Sequence, residues 1–326
     1  MPPTPSAPAG PAGPTVPTEP QNSSRRDSVL QRATGAGYAA GWRGVRALPE
    51  PLAAAAFRAG ADAAWCRRGK GVRRLRSNLA RVVPAGTDLD ALTREAMRSY
   101  ARYWLEVFRL PVTPRERIVG AMHVEDEHLL RDAHATGRGT VLALPHMGNW
   151  DHAGAWLTAT GVPFTTVAER LQPASLYDRF VAFRESLGME VLALTGGDRP
   201  PFDVLTERLT AGGALCLLAD RDLTPQGVQV TFFGARATMP AGPAALALRT
   251  GATLLPVTLW YDGPGWRARI HPAVPPTDVA TMTQGVADAF ATGIAAHPED
   301  WHMLQRLWSD DLEPRGGDLE PRSGRP

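Results

Sequence analysis

The stretch Gly139-Thr-Val-Leu-Ala-Leu144 leads directly into Pro145-His-Met-Gly-Asn-Trp-Asp151. Its first six residues form a short apolar run, which is typical of a strand buried on both faces of a sheet. Asn149 is a favourable residue for a helix N-cap, and Asp151 then falls in the first turn of that helix. The stretch therefore predicts a buried strand that passes through a polar turn into a helix.

Further apolar runs of strand type alternate with helical stretches after this point. The runs are 164–168, 190–194, 214–219 and 253–260, and the helical stretches are 174–187, 201–211, 242–250 and 278–296. Buried strands that alternate with helices predict an α/β fold with a mainly parallel sheet flanked by helices. Sites in such sheets gather beyond the carboxyl ends of the strands, so the polar residues that follow each run are the candidates.

Residues 38–110 have a different composition, rich in Ala, Leu and Arg and punctuated by Gly and Pro, which predicts helices. Between Tyr38 and Ala85 ten Arg or Lys residues face two acids, with large apolar residues interleaved. A basic helix of this kind can lie on an anionic membrane. The solvated arginine face of an ordinary packed helix has the same composition, and charge alone favours that second reading.

The predicted domain boundaries follow these changes in composition. Residues 1–36 form a proline-rich tail that we expect to be disordered, as we do 312–326. Residues 37–311 are predicted to form one domain, with a helical part at 37–110 and an α/β core at 111–311. The sequence contains no window of 18 uninterrupted apolar residues, so no transmembrane helix is predicted. It has no apolar segment near the N-terminus, so no signal peptide is predicted.

Composition also excludes several classes of protein. The formal net charge of the 326 residues is +2, which gives no overall field for nucleic acid. Lys70 is the only lysine and lies in an arginine run, which argues against a Schiff-base or P-loop enzyme. Two cysteines, Cys66 and Cys216, form no disulfide framework and suit a reducing cytosol, and zinc-binding signatures are absent from the sequence.

His146 is the sharpest candidate for chemistry. Asp151, five residues on, can pair with it across the turn, fixing the tautomer and raising the basicity of the other ring nitrogen. Such a pair can act as general base on a hydroxyl. Since the sequence has no G-x-S-x-G and neither cysteine has the context of a nucleophile, the base is expected to activate a hydroxyl of the substrate. In isolation, however, His-x4-Asp arises more often by chance or for structural reasons.

Other polar clusters also follow strand-type runs. Glu169 follows 164–168, and Arg184 lies on the next helix. Asp220-Arg-Asp222 follows 214–219, where a structural ion pair is the favoured reading and phosphate binding by Arg221 the alternative. The segment His297-Pro-Glu-Asp-Trp-His302 is interpreted as packing around its tryptophan, with a supporting role in the site left open.

Several of these blocks, in the same order, resemble the bacterial lipid A biosynthesis (lauroyl/myristoyl) acyltransferase family. They are Gly137-Arg-Gly-Thr-Val-Leu-Ala-Leu-Pro-His-Met-Gly-Asn-Trp-Asp151, Asp220-Arg-Asp222, Phe232-Phe-Gly234, Met239-Pro-Ala-Gly242, Thr250-Gly-Ala252 and His297-Pro-Glu-Asp-Trp301. Further blocks are similar to the actinobacterial branch that acylates phosphatidylinositol mannosides: Gly41-Trp-Arg43, Arg46-Ala-Leu-Pro-Glu50, Glu169-Arg-Leu-Gln-Pro-Ala-Ser-Leu-Tyr177, Arg184-Glu-Ser-Leu-Gly188 and Trp301-His-Met-Leu-Gln305. The resemblance runs from about Tyr38 to Asp311 and implies a glycerolipid acyltransferase-like fold with an N-terminal helical, membrane-facing part.

The resemblance implies a reaction and roles for the candidate residues. A palmitoyl-type acyl-CoA would be the donor and the 6-hydroxyl of the 2-linked mannose of a phosphatidylinositol mannoside the acceptor. His146 would take the hydroxyl proton, while Asp151 would orient His146 or hold the mannose. Glu169 and Arg184 would line the acceptor pocket. Asp220 corresponds to a third member of the charge relay, at a position where the family leads us to expect glutamate.

The resemblance also implies where the protein acts. We expect a peripheral protein on the cytoplasmic face of the plasma membrane, with the basic segment 38–85 on the anionic surface and no metal or redox cofactor. Two alternatives remain open. One is an acyltransferase of the same family with another glycolipid or a lyso-lipid as acceptor; the other is a non-catalytic lipid-binding protein that keeps the fold.

Overall fold

The computed structural model describes residues 44–169, 174–197, 199–222 and 227–309. The two predicted tails, 1–36 and 312–326, lie outside the described residues, as does the beginning of the predicted helical part.

From Glu50 onward the helical part contains three helices: α1 (Glu50–Arg67), α2 (Lys70–Val82) and α3 (Leu89–Arg109). A short 3-10 turn at Leu110–Val112 follows α3. The breaks between helices fall at the Gly and Pro residues of the sequence, and the Asp88 side chain caps α3 by accepting two backbone N–H groups. Asp62 on α1 forms ion pairs with Arg94 and Arg98 on α3, at 2.8 and 2.7 Å, which fixes the two helices side by side.

The α/β part follows in the order α4 (Arg115–Gly120), β1 (Met122–Glu125), α5 (Glu127–Ala135), β2 (Thr140–Leu144), α6 (Trp150–Ala159), β3 (Phe164–Ala168), α7 (Ala174–Ser186), β4 (Glu190–Ala193), α8 (Pro201–Thr210), β5 (Ala214–Leu218), β6 (Val228–Phe232), β7 (Ala235–Met239), α9 (Gly242–Thr250), β8 (Thr253–Asp262), β9 (Gly265–Ile270) and α10 (Val279–Ala296). A 3-10 turn at Pro298–Asp300 leads into the C-terminal segment.

Seven strands form one sheet in the order β1-β9-β8-β2-β5-β3-β4. All neighbouring pairs are parallel except β8 and β9, so the predicted α/β fold with a mainly parallel sheet is confirmed. Strands β6 and β7 form a separate antiparallel hairpin. Strands β1 and β9 and this hairpin were not predicted from the sequence, because their buried residues alternate with polar ones or are few. In β9, Trp266, Ala268 and Ile270 are buried while Arg267 and Arg269 face outward.

The strand that precedes His146 lies in the middle of this sheet and is buried along its whole length. Alternate residues of β2 face two different cores. Val141 and Ala143 pack toward α8, α9 and α10, while Leu142 and Leu144 pack toward α5 and α6. In the described part of the chain, none of the helices combines the length and apolar character that crossing a membrane requires.

A candidate active site at the carboxyl end of the sheet

The register of two central strands brings His146 and Asp220 together. Leu144, the last residue of β2, pairs with Leu218, the last residue of β5, and the carbonyl of Leu144 accepts the N–H of Ala219 at 2.8 Å. His146 and Asp220 each lie two residues beyond these paired ends. The parallel pairing of the two strands thus places an imidazole and a carboxylate side by side, although they are far apart in sequence.

Asp220 binds His146 at two points. The imidazole Nδ1 lies 2.6 Å from Asp220 Oδ1, and the backbone N–H of His146 donates to Asp220 Oδ2 at 2.9 Å. An ionised carboxylate can only accept, so the hydrogen is on Nδ1 and the lone pair is on Nε2. The imidazole is partly exposed while Asp220 is fully buried. This leaves Nε2 able to take a proton from a bound molecule.

The charge of Asp220 is maintained by its hydrogen-bond donors. Burial by itself would raise the pKa of this carboxyl, but the interactions with His146 and a hydrogen bond from Trp301 outweigh burial, and the pKa is lowered. Trp301 Nε1 donates to Asp220 Oδ2 at 3.0 Å. The buried carboxylate therefore stays ionised and fixes both the orientation and the tautomer of His146.

The predicted contact between His146 and Asp151 is wrong. Asp151 lies in the first turn of α6, and its Oδ1 accepts Arg184 Nε at 2.7 Å. Its Oδ2 accepts the hydroxyl of Tyr103 at 2.8 Å. Asn149 caps α6 as predicted, since its side chain accepts the N–H of His152 at 2.9 Å. The carboxylate that hydrogen-bonds the imidazole of His146 is therefore that of Asp220.

Arg184 and Glu169, predicted to share the acceptor pocket, have different partners in the structure. Arg184 pairs with the buried Asp151, which raises the pKa of the guanidinium although burial opposes it. Glu169 is exposed and pairs with Arg221 at 3.0 Å. Within the described part of the chain the Nε of Arg221 is buried without a hydrogen-bond partner. Arg221 therefore has a donor to spare beside Asp220.

The segment after α10 holds the His146 loop in place. The backbone N–H of Gly148 donates to the carbonyl of Asp300 at 2.8 Å, and the N–H of His302 donates to the carbonyl of His146 at 2.7 Å. Gly148 has φ +58°, and a Cβ there would lie 2.9 Å from the backbone of Leu259, so only glycine fits. The segment 297–302 thus supports the site, a role that the sequence had left open, by holding the His146 loop through backbone hydrogen bonds.

An apolar cavity lies between the sheet and α6, next to His146. The cavity and its opening enclose about 730 Å³ of empty space. Leu144 and Trp150, on either side of His146 in the chain, both line it, and the ring of Trp150 lies 5.5 Å from the imidazole. Among the described lining residues the charged ones are Asp151 and Arg184. The remaining walls come mainly from Met122, Leu130, Leu142, Trp156, Leu157, Phe164, Met189, Cys216, Leu218, Val257, Leu259 and Ile270.

Two residues of the site, Tyr103 and Trp301, were not assigned to it from the sequence. Tyr103 lies on α3 outside the motifs described above, and Trp301 was predicted only as the centre of a packing segment. Both are buried and both hydrogen-bond a carboxylate of the site. The signal that could have found them is the pairing of a buried hydroxyl or indole N–H with the nearest acids, which needs the fold.

Neither cysteine has the environment of a catalytic nucleophile. Burial raises the pKa of the Cys216 thiol, which makes it unreactive, and Cys66 lies exposed on α1. The described residues contain no group of three or more His, Cys, Asp or Glu side chains placed to hold a metal ion. The arrangement is thus suited to removing a proton from a bound hydroxyl beside an apolar cavity.

Comparisons with known proteins agree with this chemistry. The family described as "Bacterial lipid A biosynthesis acyltransferase" matches residues 21–310. The chain is 55% identical over 285 residues to a protein of Mycolicibacterium smegmatis named phosphatidylinositol mannoside acyltransferase, covering 86% of this chain and 93% of that protein. It is 52% identical over 309 residues to a protein of the same name from Mycobacterium tuberculosis, covering 91% and 96% of the two chains.

Proposed function

Since the chain belongs to the bacterial lipid A biosynthesis acyltransferase family, we propose that it is an O-acyltransferase whose acceptor is a phosphatidylinositol mannoside. The observation that carries the proposal is the His146–Asp220 pair, at 2.6 Å, near an apolar cavity. The names and the high coverage of the two mycobacterial relatives support the choice of acceptor.

In the proposed reaction His146 is the general base. Its Nε2 takes the proton of the acceptor hydroxyl as the oxygen attacks the thioester carbonyl of an acyl-CoA. The C–S bond then breaks, the new ester forms, and the proton returns from Nε2 to the CoA thiolate. Asp220 stays ionised and stabilises the transient imidazolium through Nδ1. The proposed reaction uses no cofactor: acyl-CoA takes part as a substrate, and His146 carries out the proton transfers.

The apolar cavity is the proposed site of the acyl chain. Its walls are mainly Leu, Met, Val, Phe and Trp side chains, and they include Trp150, whose ring lies 5.5 Å from the imidazole of His146. Burying a long alkyl chain there is favourable by roughly 0.8 kcal/mol per CH₂ group. This supports a palmitoyl-type donor over a short-chain one.

The proposed acceptor pocket lies around Glu169 and Arg221, with Arg184 behind it. Glu169 is exposed and its carboxylate can accept hydrogen bonds from the hydroxyl groups of a sugar. Among the described residues, Arg221 Nε has no hydrogen-bond partner. The family resemblance supports the 6-hydroxyl of the 2-linked mannose as the reacting group. Asp151 is buried with Arg184 and Tyr103, so its proposed role is to shape the pocket floor.

We propose that the helical part rests on an anionic membrane at the cytoplasmic face, where the lipid acceptor and acyl-CoA are both present. Leu48, Leu52 and Val112 are exposed, and Leu48 is held next to the end of α3 by a hydrogen bond from Arg109 to its carbonyl, at 3.0 Å. Exposed apolar side chains next to basic groups suit the interface of an anionic bilayer.

The deciding experiment is transfer of radiolabelled palmitate from palmitoyl-CoA to purified phosphatidylinositol mannoside, with release of CoA thiol measured in parallel. We expect wild type to transfer, and His146→Ala to lose roughly 10²–10⁴-fold in rate. His123→Ala removes an exposed histidine on β1 and serves as matched control. Wild type that hydrolyses the thioester without forming product would overturn the acceptor. Near-normal transfer by His146→Ala would overturn the base.

A further inference from the structure

Trp301 makes a contact that packing alone does not require. Its indole is fully buried, in edge contact with the ring of Phe232, and its Nε1–H donates to Asp220 Oδ2 at 3.0 Å. Residue 301 also pairs with Met147 as an isolated antiparallel bridge. One residue therefore contacts both the loop that carries His146 and the carboxylate that holds it.

The hydrogen bonds of Asp220 divide unequally between its two oxygens. Within the described residues, Oδ1 has the single partner Nδ1 of His146, whereas Oδ2 accepts both the backbone N–H of His146 and Trp301 Nε1. Hydrogen bonds to the ionised form reduce the proton affinity of a carboxylate. The indole N–H thus weakens the pull of Asp220 on the proton at Nδ1 and keeps the carboxylate from rotating.

We infer that Trp301 is a positioning residue for the base, which fixes the Asp220 carboxylate and sets how strongly it stabilises a protonated His146. The inference builds on the proposed function, in which His146 acts as neutral base. Without the indole N–H, more of the negative charge of Asp220 resides on Oδ1, which then stabilises the protonated imidazole more strongly. His146 then stays protonated to higher pH and is unable to accept the proton of the hydroxyl there.

Three other titratable groups, His302, Asp300 and Arg221, lie near the His146–Asp220 pair. His302 is adjacent and buried, and burial lowers its pKa to about 3, so it carries no charge near neutral pH. Asp300 has its pKa raised to about 6 by burial, but its oxygens accept Ser99 and the N–H of Tyr261. Arg221 is paired with Glu169. All of these groups stay in place when only the indole N–H is removed.

The chain offers a matched control in Trp308. It too is fully buried and packs against Phe232, and its Nε1 donates to Asn78 Oδ1 at 2.9 Å, away from the site. Trp301→Phe and Trp308→Phe remove the same atoms and one hydrogen bond each. A purely structural role predicts the same outcome for both.

The test follows the titration of the His146 ring by NMR in the full chain labelled with ¹⁵N-histidine, without substrate, alongside the pH profile of kcat/KM. For Trp301→Phe we expect the His146 ring to titrate about 1 pH unit higher than in wild type. The acid limb of the kcat/KM profile should move by the same amount. A shift of this size corresponds to the free energy of one lost hydrogen bond to a charged group. Trp308→Phe is expected to leave both unchanged. Unchanged titration in a folded Trp301→Phe protein would overturn the inference.

One further variant and a comparison of the two readouts keep the outcomes separate. If Trp301→Phe does not fold, β-(3-benzothienyl)alanine at position 301 keeps the ring shape and removes only the N–H, with the same expected shift. If the ring titration shifts in Trp301→Phe but neither wild type nor any variant transfers palmitate, the positioning role of Trp301 stands and the proposed function fails. If transfer occurs normally and the titration does not move, the proposed function stands and the inference fails.

Discussion

Asp151 Oδ1 lies 2.7 Å from Arg184 Nε beside the apolar cavity, and both side chains are largely buried. Removing one member of a buried ion pair leaves the other charge without compensation. We therefore expect Asp151→Ala to lower the free energy of unfolding by about 3 kcal/mol, measured by urea denaturation. The double variant Asp151→Leu with Arg184→Leu should lose much less than the sum of the single losses. Additive losses would show that the two side chains do not depend on each other.

The activity should depend more on the charge of the side chain at position 220 than on its length. Asp220→Asn removes the charge and allows an amide N–H to face Nδ1, which favours the wrong tautomer of His146. We expect a fall in kcat of about 10³–10⁴-fold, comparable to the serine protease case. Asp220→Glu keeps the charge but displaces the oxygens from Nδ1 and the backbone N–H. It should retain more activity than Asp220→Asn in the same palmitate assay, and the reverse order would contradict the charge argument.

Gly154 on α6 is expected to limit the length of the acyl chain. A Cβ at this position would lie 2.9 Å from Met189 Cε and Phe164 Cζ, and all three residues line the cavity. Gly154→Val should push the methionine into the cavity and shorten it. We expect kcat/KM for palmitoyl-CoA to fall by about tenfold or more, with a smaller loss for lauroyl-CoA. Gly120→Ala, where the added methyl meets nothing within 4 Å, is the matched control.

An equal loss for both donors with Gly154→Val would contradict a role of the cavity in measuring the chain. The comparison needs a stability check on each variant, because overpacking a core costs about 1–3 kcal/mol in free energy of unfolding.

Acid should destabilise the fold through buried neutral histidines. Burial lowers the pKa of His152 from 6.5 to about 4. Between these values the unfolded chain binds more protons than the folded chain, so the free energy of unfolding falls as the pH drops from 6.5 to 4. His302 acts in the same direction down to about pH 3, and Asp300, with its pKa raised to about 6, opposes them between pH 3.8 and 6.

His152→Phe removes one of these groups while keeping a ring to stack on Trp266, 3.7 Å away between centroids. We expect it to flatten the pH dependence by one proton, worth roughly 3 kcal/mol across the window. Urea midpoints from pH 4 to 7 give the measurement. An unchanged slope would show that His152 becomes protonated without unfolding.

Binding to anionic vesicles should depend on the exposed cations of the helical part. Arg58, Arg67 and Lys70 are exposed, and within the described part of the chain they form no ion pair. Changing all three to Gln should weaken flotation with phosphatidylglycerol vesicles by about 10²-fold, at roughly 1 kcal/mol per charge. Arg138→Gln, an exposed change just before β2, is the control. Equal flotation of the triple variant and wild type would place the membrane surface elsewhere.

Local pattern was sufficient to predict the strands that build the site. Continuous apolar runs predicted β2 and β5, and the polar residues after them include both His146 and Asp220. The pattern was insufficient to choose the partner of His146. Proximity in sequence favoured Asp151, whereas the choice depends on β5 being the neighbour of β2 in the sheet. Strand order is a property of the whole chain, and so is the contact of Trp301 with Asp220.

The pairing of the segment around Trp301 with the His146 loop has a consequence for biosynthesis. A ribosome finishes the strand before His146 and the carboxylate at 220 well before it reaches 300–302, whose backbone holds the loop. Until that last segment emerges from the exit tunnel, the nascent chain lacks the donors that order the base. Under the proposed function, a growing chain therefore gains an ordered base only after residues 300–302 have been synthesised.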